Sequence, residues 1–210
     1  MFNPVPAAEA VGCARGTVDG GSGGGQAGGL RYGSRVERLP TEDIARLLEA
    51  AASVVRAEAG ALSEELAAWH PAPGEWCVKE CLGHLIEAEK RGFAGRIRFL
   101  LEQDPASRPA LASWDQIAVA KARGDCHASL PTLVGELTEL RRASVALVAG
   151  LRVDDLARGG DHPQVGHITV GDVASEWVHH DRNHVKQILT NIQQRMWPQM
   201  GNAQRFSLVP

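Results

Sequence analysis

The stretch Ile168-Thr-Val-Gly-Asp-Val-Ala-Ser-Glu-Trp-Val-His-His-Asp-Arg-Asn-His-Val-Lys-Gln-Ile188 decides the fold. At roughly 100° per residue its apolar positions gather on one side of a helix. Val170, Val173, Ala174, Trp177, Ile188 and the following Ile192 make that stripe. His184 falls inside it, His180 sits at its edge, and His179 points to solvent. Residues four apart are stacked neighbours on a helix surface. Two imidazoles so placed, aimed into an apolar interior, are half of a metal site. Two buried histidines that merely hydrogen-bond have the same spacing.

Upstream of this helix the pattern is the same in kind. Pro40-Thr-Glu-Asp43 opens a first helix of about 41–69, with Thr41 as cap and two acids in the first turn. Ile44, Leu47, Leu48, Ala51, Val54, Val55, Leu62, Leu66 and Trp69 recur at helical spacing, and Gly60 weakens the middle. His70-Pro-Ala-Pro-Gly-Glu-Trp76 breaks it. A second helix, about 77–103, carries a broad apolar face and beside it a stripe of small residues: Cys77, Cys81, His84, Ala88, Gly92 and Gly95. Such a stripe admits a close neighbouring helix or borders a cavity. Residues 104–127 form a long connection with a short helix around Trp114–Lys121, and connections of this length often cover a site. Ser129 caps a third helix, in which Leu130, Leu133, Val134, Leu137, Leu140, Ser144, Leu147, Val148 and Leu151 form the seam. Residues 152–167 are a connection, and the fourth helix runs from Ile168 or Thr169 to about Met196. Four long amphipathic helices without a strand signal predict an all-α four-helix bundle over 40–198. The Gly-rich segment Gly20–Gly29 cannot bury a core, so 1–39 reads as a flexible tail, and 199–210 as a C-terminal tail.

Composition sets outer limits. The 210 residues suffice for one domain, and 44% hydrophobic with 22% charged residues is ordinary for a globular protein. The balance of 22 − 25 = −3 without a basic stripe argues against a nucleic-acid surface and an electrostatically held membrane protein. No apolar run approaches the roughly 20 residues that span a bilayer. No basic-then-apolar leader opens the chain, and Cys13, Cys77, Cys81 and Cys126 form no disulfide framework, so a cytoplasmic protein is expected.

A catalytic zinc-type centre takes three protein ligands and leaves one position for water or substrate. His180-Asp-Arg-Asn-His184 has the outline of the zincin motif with Asp in place of Glu. Zincins draw the third ligand from downstream, yet no His, Asp, Glu or Cys follows His184. The third ligand must lie upstream. His84 is the leading candidate, ahead of His127 and His167 near loops and His70 and His162 beside prolines. The amphipathic pattern does not centre His84 on the buried face, and a lone histidine on such a stripe is more often structural. An all-thiol-and-imidazole site of Cys77, Cys81 and His84 ranks lower because it leaves His180 and His184 unexplained.

Three segments together resemble the DinB-like (YfiT-like) superfamily: Pro73-Gly-Glu-Trp-Cys-Val-Lys-Glu-Cys-Leu-Gly-His84-Leu, Gly166-His-Ile-Thr-Val-Gly-Asp-Val-Ala, and His180-Asp-Arg-Asn-His184-Val-Lys-Gln-Ile188. The resemblance covers about 40–197. It implies an up-down-down-up bundle and a divalent metal, zinc or nickel foremost, on His84, His180 and His184. It also implies a thiol- or water-activating enzyme of the S-transferase or hydrolase type, acting on a small molecule with a low-molecular-weight thiol as co-substrate. Related bundles often pair, so a homodimer is expected. Cys77 departs from the Ser that often follows the Trp. Asp181 faces inward, where it either orients a histidine, accepts a proton as a catalytic residue, or pairs with an arginine such as Arg142. The alternative reading is a non-catalytic bundle that holds a structural metal or a ligand. A pure interaction protein with core histidines is the third.

Overall fold

The computed structural model describes residues 37–208. The Gly-rich segment and Cys13 lie outside them. The first helix, α1, spans Thr41–Gly60. Its cap is Pro40 rather than Thr41: the Pro40 carbonyl accepts from Asp43 and Ile44, and no side-chain cap bond forms. The expected continuous helix to Trp69 divides at Gly60, the weakest helix former in the stretch. Ser63 then starts a separate turn, α2 (Glu64–Ala67), by accepting from the Leu66 N–H.

The second long segment is also not continuous. It begins as α3 (Val78–Glu87), with the Cys77 N–H held by the Glu80 carboxylate at 2.9 Å. A π-helical turn follows over Ala88–Gly92, closed by a 2.8 Å bond from the Phe93 N–H to the Ala88 carbonyl. The segment resumes as α4 (Ala94–Glu102). Gly95 permits this turn, because a Cβ there would stand 2.0 Å from the Lys90 carbonyl oxygen.

Asp115 caps α5 (Gln116–Arg123) through the Ile117 and Ala118 N–H groups, and Gly124 ends it with φ 61°. A 3₁₀ turn over Asp125–His127 leads into α6 (Leu130–Ala149), where Ser129 makes no side-chain cap bond. One turn, α7 (Val153–Leu156), precedes a hairpin that pairs β1 (Gly159–His162) antiparallel with β2 (Gly166–Thr169). The sequence reading expects no strand here, because Gly-Gly-Asp-His has none of the β-branched residues that mark strands. A Cβ on Gly159 would meet the Ile168 carbonyl oxygen at 2.6 Å, so this pairing needs bare backbone. The last long helix, α8, runs Val170–Met196 with Thr169 and Asp172 in a capping box. A 3₁₀ segment over Trp197–Ser207, broken at Gly201, continues where a tail is expected.

Side-chain contacts fix the helix directions. Arg38 bonds Asp172 and Arg182 bonds the Leu47 carbonyl, so α1 and α8 advance together. Trp76 bonds Asn191, His84 meets His180, and Phe93 stacks on Trp177, so the α3–α4 segment runs against α8. Lys79 reaches Ala128 and Lys90 reaches Glu136, so that segment runs with α6. The bundle is therefore up-down-down-up. The α1 and α3–α4 segments each pack against both α6 and α8.

Two apolar cores stack along the bundle. One gathers Ile44, Leu48, Phe93, Ile97, Val148 and Trp177; the other gathers Val55, Leu82, Ile86, Leu133, Leu137 and Ile188. Burying each large side chain contributes roughly 1.5–3 kcal/mol. Polar side chains sit at the middle of the helices: His84, Glu89, Arg141, Ser144, Asp181 and His184 are all buried. Among the described residues no helix is long and apolar enough to cross a membrane.

Candidate metal centre

The antiparallel meeting of α3 and α8 brings His84, His180 and His184 together. One nitrogen from each ring lies within 4.8 Å of the others. His84 Nε2 and His180 Nε2 are 2.9 Å apart. His84 and His184 are buried and His180 is half-buried, while His179 is exposed as its spacing predicts. Periodicity does not centre His84 on a buried face because α3 has no solvent face: every residue from Val78 to Glu87 except Glu80 is buried.

Burial sets the electrostatics of the cluster. Desolvation, reinforced by His184 and His180, pushes the pKa of His84 down to about 2. Desolvation and His180 push that of His184 down to about 4. Both imidazoles are therefore neutral at physiological pH, the state in which histidine binds a metal. His184 donates Nδ1–H to Gln187 Oε1 at 2.9 Å, which leaves its Nε2 lone pair free. The buried Nδ1 atoms of His84 and His180 have no hydrogen-bond partner among the described residues. Converging imidazole nitrogens with unspent hydrogen-bonding capacity fit a divalent cation.

Aromatic rings enclose the cluster. Trp76 lies 5.0 Å from the His84 ring centre and stacks on His184 at 6.4 Å. Trp114, from the long connection before α5, stacks on His84 at 6.0 Å. Phe93 packs flat on Trp177 and edge-on to His180. The connection does reach the site, as its length suggests.

Behind the histidines lies a buried ionic network. Arg141 bonds Glu89, the Leu48 carbonyl at 2.8 Å and Asp181 at 2.5 Å, and Ser144 bonds the other oxygen of Glu89. Burial pushes the Glu89 carboxyl up, and Arg141 offsets this only in part. Burial also opposes ionisation of Asp181, but His180 and Arg141 outweigh it and hold that carboxyl low. Asp181 therefore pairs with Arg141, not with Arg142. Arg142 sits one residue and about 100° further round the helix, where it is exposed and bonds Glu139. The other carboxylate oxygen, Asp181 Oδ1, has no hydrogen-bond partner among the described residues and faces His180 Nδ1 at 3.7 Å.

The remaining candidates stand elsewhere. His162 bonds Arg96, His167 lies against Asp161, and His127 is exposed. Cys81 is buried in the apolar core, and Cys77 lies beside Cys126 and His70 instead of beside His84. Gln187 escapes the sequence reading although it sits three residues past His184, one helical turn away. Glu89 and Arg141 escape it as well, since neither interrupts an apolar pattern in a way that marks a partner.

Comparison with known proteins agrees with this architecture. No curated protein matches the sequence. YfiT from Bacillus subtilis, described as a probable metal-dependent hydrolase with an unusual four-helix bundle topology, superposes with a TM-score of 0.69 at 20% sequence identity, over 79% of this chain and 94% of its own. The family model of the DinB superfamily matches residues 47–188. With two-thirds of its length matched and the bundle and histidine triad in place, this chain belongs to the DinB superfamily.

Proposed function

We propose that the protein is a divalent-metal-dependent enzyme whose ion is held by His84, His180 and His184. The observation that carries this is the group itself: three imidazoles converge, two of them held neutral by burial, and no fourth protein donor joins them among the described residues. A three-ligand set leaves a coordination position for water or substrate, whereas a structural site closes with four. The description of YfiT as a probable metal-dependent hydrolase supports the same reading. A bound divalent cation lowers the pKa of a water or thiol and supplies a nucleophile at neutral pH.

The residues of the chain have defined tasks in this scheme. Gln187 fixes the tautomer of His184. Asp181 is a positioning residue: it is buried, held by Arg141, and faces His180. Trp76 and Trp114 wall the cluster and exclude water from an apolar part of a small substrate. The nucleophile is water for hydrolysis or a low-molecular-weight thiol for transfer, with zinc or nickel as the ion.

Elemental analysis of the full chain and its His184→Ala variant tests this. The expected result is about one metal equivalent per chain fewer in the variant. It is accompanied by loss of turnover in a screen of activated esters and amides, with and without added thiols. Equal metal content in the two proteins sinks the proposal.

A further inference from the structure

A second cluster of ligand-type side chains lies at the N-terminus of α3, away from the histidine triad. His70, Cys77, Glu80 and Cys126 each offer a ligand atom within 4.8 Å of the others. The two sulfurs are free thiols 2.8 Å apart, and His70 Nε2 is 3.0 Å from Cys126 Sγ. The residues come from three places: the Pro-rich turn, the start of α3 and the 3₁₀ turn after α5.

We propose that His70, Cys77 and Cys126, with Glu80 as the fourth donor, form a binding site for a thiophilic divalent cation of the zinc class. Several observations carry this. The Glu75 carbonyl accepts a bond from His70 Nδ1 at 2.7 Å, which fixes the tautomer and turns the Nε2 lone pair toward Cys126. Two thiolates, one imidazole and one carboxylate are a donor set that zinc takes tetrahedrally. Metal–sulfur bonds of about 2.3 Å in that geometry space two sulfurs by about 3.8 Å. Rotating the Cys126 side chain outward by about 1 Å therefore opens the place for the ion. A groove of about 430 Å³, lined by His70, Glu80, Lys121 and Cys126 among others, gives an entry path from solvent.

The surrounding structure holds the two halves in register. Arg123 bonds Asp125 at 2.7 Å and Glu87 at 2.8 Å, and Lys79 bonds the Ala128 carbonyl at 2.9 Å. Gly83 lets this turn lie against α3, since a Cβ there would fall 1.8 Å from Asp125 Oδ2. Without an ion, burial keeps both thiols protonated. A bound cation reverses that preference, because a coordinating thiol gives up its proton to solvent. The ion would tie the connection that carries Trp114 to the helix that carries His84. The assignment does not depend on the function proposed for the histidine triad.

The test is a cobalt titration of the reduced full chain. Thiolate coordination gives a sulfur-to-cobalt charge-transfer band in the near ultraviolet that an all-imidazole site cannot give. Expected is such a band, saturating at about one equivalent per chain and bleached by zinc. It should persist in a His84→Ala/His184→Ala variant and vanish in Cys126→Ser. His70→Ala, an exposed position, should weaken cobalt binding about tenfold or more. Circular dichroism establishes that each variant is folded. Absence of the band in reduced, folded protein overturns the proposal, as does its survival in Cys126→Ser. A band lost only when the triad is removed also overturns it, by placing the ion at the histidines. Recovery of a Cys77–Cys126 linked peptide from unreduced protein, together with no band after reduction, would make the pair a disulfide instead.

Discussion

At the residue scale, adjacent arginines on one helix have opposite fates. Arg141 is buried between Glu89 and Asp181, whereas Arg142 is exposed and paired with Glu139. Replacing Arg141 with Met strands two buried carboxylates, and a loss of about 3–5 kcal/mol in urea unfolding is expected. Arg142→Ala should stay within about 0.5 kcal/mol of the parent in the same measurement. The histidines make a pH prediction. His184 has a folded-state pKa of about 4, against about 6.5 when unfolded. Its neutral form is the folded one, so its contribution is full above about pH 6.5 and is lost as pH falls toward 4. In chelated protein, lowering the pH from 7 to 5 should reduce unfolding free energy by about 2 kcal/mol for this imidazole. His84 is depressed further and adds in the same direction. A chelated protein equally stable at the two pH values would contradict the buried, neutral assignment. His84 also shows why the residue level was only half legible. Its identity as a candidate ligand could be read, but its inward direction could not, because a helix buried on nearly all sides carries no periodic signal.

At the element scale, the π turn of Ala88–Gly92 is the least predictable feature and has large consequences. It places Glu89 against Arg141 and Phe93 against Trp177 and His180. Gly95 accommodates the displaced Lys90 carbonyl, and that neighbour is backbone with little freedom to yield. Gly95→Ala is therefore expected to cost about 1–3 kcal/mol, although alanine is the better helix former elsewhere. Thermal unfolding of the variant checks this; a gain in Tm would show that the turn relaxes to ordinary α-helix. The existence of the long helices was legible from their apolar spacing. Gly60 was legible only as a weak point, and the π turn of Ala88–Gly92 not at all, because the segments on either side each keep their own helical spacing. The β1–β2 hairpin was missed for a related reason: glycines chosen for close backbone approach resemble a loop in sequence.

At the scale of the molecule, the histidine triad joins α3 to α8 between two apolar cores. An ion there links elements more than ninety residues apart in the chain, as the separation of 96 between His84 and His180 shows. Binding should therefore register as global stability. At a free metal concentration of about 100 times Kd the gain is about 2.7 kcal/mol. For a chain of this size that corresponds to a rise in Tm of roughly 5–10 °C. The rise should be smaller by that amount in the His84→Ala/His184→Ala variant. Equal rises in both proteins would locate all metal binding outside the triad.

The sequence alone determined the helical class, the extent of α8 and the pairing of His180 with His184. Each follows from spacing within one segment, where 3.6-residue periodicity and capping chemistry act locally. The three segments that resemble a known family implied the up-down-down-up bundle and the grouping of His84 with His180 and His184. The tertiary structure decided what spacing cannot encode. It chose Arg141 over Arg142 as the partner of Asp181, brought Trp114 onto His84, and set Cys126 beside Cys77 and His70. These contacts join residues brought together only when the connections dock on the bundle. The physical reason is that a side chain records its own local preference, whereas a partner across the fold is fixed by packing of the whole.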